Sequence, residues 1–454
     1  MQDNSQPLTI IILSAGAGTR MLSTLPKVLH TVALKPMLRH VLCLSKVFAS
    51  KENTKVVISN ELVQEEVYQE LKKEFSFHGI IQKKKLGTGD AVRVALNSAE
   101  NIKENVLILY GDTPLVTQAN VVAMLEVLKH GGDLCITAFT NVDPHGYGRV
   151  VKGVDNRVQE IIEEGDTNQD TKRINLCNSG IMMIKTLLLR DFLAQSNLYS
   201  RGQEFYLTDI AAFASKNNYS AQYVQADFTD VMGVNSKQEL IVAEETMQKT
   251  IQKTLLSQGV TLIQPETSYF ACDIKAERDV MIYPNVFIGL NVVLERNSVI
   301  HSFSHLQGCL VSRGASIGPF ARLRPQTKIS SHVKIGNFVE IKNSNIGKNS
   351  KIPHISYVGD AKIEKDVNIG AGTVFCNYDG YKKHESKVGE GSFIGANSTL
   401  ISPVTIGKEA TIAAGSVINC DVDKWALAIA RNKQKNFLKK SIVKKTDSIF
   451  KLGE

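Results

Sequence analysis

A six-residue period in the second half of the chain restricts the fold more than any other feature. Apolar residues return at every sixth position through the runs 282–306, 317–341, 346–358, 363–375 and 388–418, among them Ile282, Ile317, Ile346, Ile363, Val388 and Ile418. Glycine, small or polar residues commonly follow each of them. A helix buries every third or fourth residue and a half-buried strand every second, so neither makes this period. One short strand per hexapeptide does, in a parallel β-helix whose coils of roughly 18 residues stack their aliphatics inside, with rungs about 4.8 Å apart. Phe375 and Val388 lie thirteen positions apart where two repeats would take twelve, and CNYDGYKKHESK between them reads as a polar insertion. Such insertions cluster on one binding face.

The first half has a different rhythm, with strands and helices in alternation. Residues 8–13 (LTIIIL) form a continuous apolar run, as expected of a strand buried on both faces of a parallel sheet. A helix is expected at 36–48, a strand at 56–59, a charged amphipathic helix at 61–75, an extended stretch at 80–82, a glycine turn into a helix at 86–91 (LGTGDA) and a buried strand at 105–110 (NVLILY). This alternation predicts a doubly wound α/β domain. A connecting helix follows at 235–256, with Ser236 and Glu239 as a capping box. The expected organisation is a nucleotide-binding domain over 1–234, a linker helix over 235–257, a β-helix over 258–425 and a basic tail over 426–454.

Ligands of open α/β sheets sit at the carboxyl ends of the strands. There the chain places LSAGAGTRMLSTLPK (13–27), in which Gly16 and Gly18 let backbone amides approach an anion while Arg20 and Lys27 supply charge. No Gly-Lys-Ser/Thr closes a Walker loop, and the third glycine of a dinucleotide fingerprint is missing. Asp112 ends the 105–110 strand region beside this turn and is a candidate magnesium ligand, or alternatively a turn former before Pro114. The formal charge of +8 is mild for 454 residues and favours small anions more than nucleic acid. Seven scattered cysteines without a CxxC pair suggest reduced thiols and a cytoplasmic setting. No apolar run is long enough to span a membrane.

LSAGAGTRM, LPKVLH, QKKKLGTGDA and YGDTPL, in this order, resemble the sugar nucleotidyltransferases. The resemblance implies attack by a sugar-1-phosphate on the α-phosphate of UTP with release of pyrophosphate. Leu13, Gly16, Arg20 and Lys27 would contact the nucleotide and its triphosphate; Gln82, Gly87 and Thr88 the uracil and ribose; Tyr110 would lie near the metal. Asp112 and Asn235 would hold Mg2+, and Gly148, Glu163 and Asn178 the sugar. A lysine common in the family's loop is replaced here by Ala17.

GPFARLRP, GNFVEIKN, HISYVGDA, NIGAGTVFCNYDG and IAAGS resemble the hexapeptide acyltransferases, whose β-helix is left-handed. Together the halves resemble the bacterial family of bifunctional N-acetylglucosamine-1-phosphate uridylyltransferase/glucosamine-1-phosphate acetyltransferases. This implies His354 as the general base toward the glucosamine amine, and Arg324, Lys342, Tyr357, Asn368 and Lys383 as ligands of the sugar phosphate. Asn377 and Tyr378 would orient amine and thioester, with Ala396, Ala414 and Arg431 along the acetyl-CoA groove; Ala396 stands where serine is frequent. The resemblance also implies a homotrimer. Two other readings are open: a uridylyltransferase whose β-helix is only a trimerisation scaffold, and a non-catalytic sugar-nucleotide sensor.

Overall fold

The computed structural model describes residues 8–84, 86–98, 101–153, 157–195, 200–201 and 204–437. The chain divides into two compact units, one of residues 1–254 with 270–272, the other of 255–269 with 273–454. Among the described residues no helix is long and apolar enough to cross a membrane. All seven cysteines are free thiols.

The first unit is built on strands β1 (Leu8–Ser14), β2 (Thr54–Ile58), β3 (His78–Ile81), β4 (Asn105–Tyr110), β5 (Leu134–Thr140), β6 (Arg149–Lys152), β7 (Val158–Ile162), β8 (Leu176–Lys185) and β9 (Ala221–Gln225). Seven of them run in the order β9-β5-β8-β4-β1-β2-β3, and β6 pairs with β8 and β7 off this path. The strands β4, β1, β2 and β3 are parallel. The sheet is mixed, because β8 runs antiparallel to both β4 and β5. β1 is buried at every position because both its faces are covered. Ile11 and Leu13 join one core cluster with Val106 and Ile108, whereas Ile10 and Ile12 join a second with Leu107 and Leu109.

The helices are Met37–Phe48, Thr88–Asn97, Gln118–Lys129, Thr186–Ala194 and Ile210–Lys216, with shorter turns between. The single helix expected at 61–75 is two, Asn60–Val63 and Glu66–Phe75. Glu65 adopts an extended conformation, and the Val63 carbonyl accepts from Gln69 Nε2 (2.7 Å) in place of a helical amide. The helix Lys237–Ser257 starts with the expected capping box: the Ser236 N–H donates to Glu239 Oε2 (2.8 Å) and the Glu239 N–H to Ser236 Oγ (3.2 Å). Asn235 stays outside it, its own N–H also held by Glu239 (2.6 Å), while its carboxamide accepts from Lys27 (2.8 Å) and donates to the Gly233 carbonyl (3.2 Å).

The second unit is a three-sided solenoid of parallel strands, with faces of ten, nine and eight strands. The registers stack Ile282, Ile300, Ile317, Ile335 and Ile352 on the first face, Ile288, Leu306, Leu323, Ile341 and Val358 on the second, and Leu294, Val311, Ile329, Ile346 and Ile363 on the third. Val311 fills the gap that the six-residue count leaves between Leu306 and Ile317; the turn before it is one residue shorter. The insertion is larger than the count of thirteen against twelve implies. Val388 pairs directly above Ile363 on the third face, so 375–388 replaces a single step, which takes five residues from Val358 to Ile363 in the coil below. The last strand among the described residues, Leu427–Ala428, pairs with Thr411–Ile412, and the basic tail beyond Phe437 lies outside them.

Candidate functional site

Each unit gathers its candidate residues separately. In the first, a cleft of about 510 Å³ opens at the carboxyl ends of β1 and β4. Leu13, Gly16, Lys27, Gln82, Gly87, Thr88, Tyr110, Asp112 and Asn235 line it. Gly18 lies in the left-handed region (φ +62°), and a Cβ there would come within 2.7 Å of Lys27 Cβ, so the loop closes down on the base of the lysine. Gly16 faces open space, as required where backbone is to meet a ligand.

Lys27 sits between the two candidate metal ligands. Its ammonium makes an ion pair with Asp112 and donates to Asn235 Oδ1 (2.8 Å). A carboxylate and a carboxamide oxygen converging on one cation are hard donors that fit Mg2+, which takes its remaining ligands from phosphates and water. Among the described residues no cluster of three or more His, Cys, Asp or Glu side chains forms a metal site.

Gln82 is buried, donating to the Gly87 carbonyl (3.2 Å) and to Asp90 Oδ2 (3.0 Å), while Asp90 pairs with Arg93 (2.5 Å). Thr88 Oγ1 accepts the Leu207 N–H (3.0 Å). Gly148, Glu163 and Asn178 form a neighbouring group. The Asn178 N–H donates to the Gly148 carbonyl (2.8 Å), a Cβ on Gly148 would lie 3.5 Å from Glu163 Oε2, and Thr208 Oγ1 donates to Glu163 Oε1 (2.6 Å). Tyr110 adjoins both groups: burial, with Glu163 and Asp112 nearby, pushes its hydroxyl far above the usual value and keeps it protonated. Arg20 stands apart, exposed on the turn Thr19–Met21.

Sequence reasoning missed several lining groups, among them Ser14, Ser179, Glu204 and Tyr206. Tyr206 donates to Glu204 (2.5 Å), and that bond pushes its hydroxyl up to about 12. Tyr147 also lines the cleft, packed edge-on against Phe139 (4.9 Å) and Phe228 (6.0 Å), and burial pushes its hydroxyl up to about 12.

In the solenoid, the corner between the first and second faces carries His354, with Ala396 and Ala414 two and three coils farther on in the same column. His354 Nδ1 lies 2.7 Å from Asn337 Oδ1. With that oxygen as acceptor the proton sits on Nδ1, and Nε2 keeps its lone pair. Arg431 Nη1 donates to the Ala414 carbonyl (2.7 Å), which ties this residue to the same column.

The second face holds cations. Arg324 pairs with Glu340 (2.9 Å), and Lys342 lies 4.0 Å from Asp360. Asp360 also accepts from Asn343 (2.6 Å) and from Asn377. A Cβ on Gly359 would meet the Tyr357 hydroxyl at 2.5 Å and Asn377 Nδ2 at 2.6 Å, so both side chains close over this glycine. The Lys342 ammonium is pushed below its usual value first by Lys383 beside it, then by burial, with Asp360 opposing. Two ammonium groups held together near Arg324 make a place for an anion.

Lys383 and Tyr378 belong to the insertion, which is pinned by Asp379: its carboxylate accepts the N–H groups of Tyr381 (2.8 Å) and Lys382 (2.7 Å) and meets His384 Nε2 (2.6 Å). These bonds hold the Asp379 carboxyl well below the usual range. Asn368 is on the first face, next to the stacked Ile369, away from the Lys342 group. Asn337, Asp360 and Glu340 are the groups that motif reading passed over. Asn337 and Asp360 lie 17 residues from their partners, one coil away, and that spacing was the available signal.

The comparisons with known proteins divide at the same place. The MobA-like NTP transferase domain family matches residues 10–174, and the bacterial transferase hexapeptide family (six repeats) matches 385–420. Over 424 residues the chain is 41% identical to the bifunctional protein GlmU of Bartonella quintana (strain Toulouse), covering 93% of this chain and 94% of that one. It is 42% identical over 435 residues to the protein of that name from Xanthobacter autotrophicus (strain ATCC BAA-1158 / Py2), covering 96% of each. With the Wolbachia pipientis wMel protein it shares 40% over 432 residues, 95% of this chain and 98% of that one. Likeness of this order runs through both units and leaves almost nothing of either chain unmatched, so the chain belongs to the family of the bifunctional protein GlmU.

Proposed function

We propose that the β-helix acetylates glucosamine-1-phosphate from acetyl-CoA, and that the cleft of the first unit joins the product, N-acetylglucosamine-1-phosphate, to UMP from UTP, giving UDP-N-acetylglucosamine. The observation that supports this reading best is that each unit gathers its own group of candidate residues, Lys27, Asp112 and Asn235 in one and Arg324, Lys342 and Lys383 beside the His354–Asn337 pair in the other.

For acetyl transfer, the phosphate of the sugar binds to Arg324, Lys342 and Lys383, with Tyr357 as a further ligand; Asn368, on the first face, is outside this group. His354 Nε2 takes a proton from the amine, the amine nitrogen bonds to the thioester carbon, and the carbon–sulfur bond breaks with coenzyme A leaving as its thiol on the proton His354 took. Asn337 fixes the tautomer that makes this possible. Asn377 and Tyr378 orient amine and thioester, and Ala396, Ala414 and Arg431 line the coenzyme groove.

For uridylyl transfer, a phosphate oxygen of N-acetylglucosamine-1-phosphate attacks the α-phosphorus of UTP, and the bond to pyrophosphate breaks. Positioning and charge neutralisation carry such reactions, and no side-chain nucleophile is needed. Asp112 and Asn235 would hold Mg2+, which supplies charge to the triphosphate when bound. Lys27 and Arg20 add fixed positive charge; with Ala17 at the loop tip, more of the task falls on these two. Gln82, Gly87 and Thr88 take the uracil and ribose, and Gly148, Glu163 and Asn178 the sugar. The proposal includes a cytoplasmic homotrimer formed through the β-helix.

Incubating the pure protein with glucosamine-1-phosphate, acetyl-CoA, UTP and Mg2+ tests the scheme by the appearance of UDP-N-acetylglucosamine. Pyrophosphate release only when N-acetylglucosamine-1-phosphate is added would instead assign the β-helix a scaffold role.

A further inference from the structure

One fully buried charge lies beside the sugar side of the cleft. Arg149 begins β6, is 2% exposed and is the largest fully buried side chain among the described residues. Its Nη1 donates to the carbonyl of Tyr147, a residue lining the cleft, and lies 2.8 Å from Glu164 Oε2 in a contact of charges. Each partner adjoins a residue of the sugar group: Tyr147 precedes Gly148, and Glu164 follows Glu163. In the sheet, Arg149 stands opposite Ile162 on β7 and Cys177 on β8, so the backbone neighbours of Glu163 and Asn178 flank it on both sides.

We infer that Arg149 is a positioning residue for the sugar phosphate: its guanidinium ties the Tyr147–Gly148 backbone to the Glu163–Glu164 strand end and so sets the gap in which the sugar is held. This rests on the uridylyl-transfer reading. A planar guanidinium suits the task because it reaches a carbonyl and a carboxylate from one rigid head, whereas an ammonium on a flexible stem does not fix their relative direction. A buried charge also needs its partner, so Glu164 is held as firmly as it holds. The clamp acts on the Gly148–Glu163–Asn178 group. The nucleotide side, formed by Gly16, Gln82, Gly87 and Thr88, hangs on β1 and on the turn into the helix Thr88–Asn97; among the described residues Arg149 pairs with Tyr147 and Glu164 and with none of these four.

A fold-supporting role would move both substrates together; a positioning role separates them. Steady-state kinetics on the full chain with Arg149→Lys, Arg149→Met and Glu164→Gln decide between these. The expected result is a KM for N-acetylglucosamine-1-phosphate raised about tenfold in the Arg149 variants and about threefold in Glu164→Gln, with the KM for UTP within about twofold of wild type. Acetyl transfer by the second unit, measured on the same samples, stays at the wild-type rate, and the melting transition of the first unit reports that it is folded. Glu164→Gln changes a partly exposed partner and keeps its shape, so it carries the test if Arg149→Met loses the melting transition of the first unit. Equal rises in both KM values, or no rise in either, overturn the inference. If the wild type releases no pyrophosphate from UTP and N-acetylglucosamine-1-phosphate, the uridylyl-transfer reading itself falls.

Discussion

Replacing Gly87 by alanine should damage the first unit in two measurable ways. Gly87 caps the helix Thr88–Asn97 at φ +97° and ψ 175°, a region that is essentially glycine's alone and costs other residues about 1–3 kcal/mol. A Cβ there would lie 2.9 Å from the Phe205 backbone N and C and closer still to its carbonyl oxygen. Relief requires the Phe205 segment to move, which gives up the Phe205 N–H bond to the Leu86 carbonyl (2.8 Å), worth about 1 kcal/mol. It also disturbs a buried ring stacked on Phe192 (5.1 Å). The two terms together come to about 3 kcal/mol. For a unit of this size each kcal/mol lowers Tm by about 2–4 °C, so a fall of roughly 6–12 °C is expected by calorimetry. Because Gln82 donates to the Gly87 carbonyl, the same displacement should raise the KM for UTP about tenfold in a pyrophosphate-release assay. Acetyl transfer should be untouched. A variant that melts within about 2 °C of wild type and keeps its KM for UTP would refute both the strain argument and the assignment of this turn to the nucleotide.

His354→Ala should lower acetyl transfer by about 10²–10⁴-fold while leaving uridylyl transfer intact, each measured in its own coupled assay. Asn337→Ala removes the acceptor that holds the His354 tautomer, and a smaller loss of acetyl transfer, about tenfold, is expected, with the melting temperature unchanged. Phe375→Ala empties a fully buried rung position and should cost about 3–5 kcal/mol, read as a lower denaturant midpoint for the β-helix. Burial alone would raise the Asp360 carboxyl, but bonds from Asn343 and Asn377 and the charges of Lys342 and Lys383 leave it below its ordinary value. Its contribution is therefore complete above the unfolded value near 3.9 and is lost as pH falls through the folded one. Asp360→Asn should thus lower the urea midpoint at pH 7, and the gap to wild type should shrink below about pH 4; a gap that widens in acid would reverse the assigned sign.

The legibility of the sequence follows from how far each interaction reaches along the chain. The solenoid was readable because its core residues are set by a local repeat, and each coil buries the same stack position as the one below. The count failed where the turns changed length. Val311 sits five residues after Leu306, and the 375–388 insertion takes the place of one step, so its Lys383 is delivered beside Lys342 and its Asn377 to Asp360.

The strands at 8–13 and 105–110 were legible from burial on both faces, whereas the antiparallel strand Leu176–Lys185 was not, since apolar content carries no direction. Motif order gave the groups that would touch ligands, because backbone approach and charge leave glycine and lysine in fixed places. It could not give the groups that orient them. Asn337 faces His354 from one coil away, and Arg149 faces Glu164 across a hairpin, contacts made only once the chain has folded. The positioning groups of both sites are therefore the part that a sequence conceals most, and they are also where a substitution separates binding of one substrate from binding of the other.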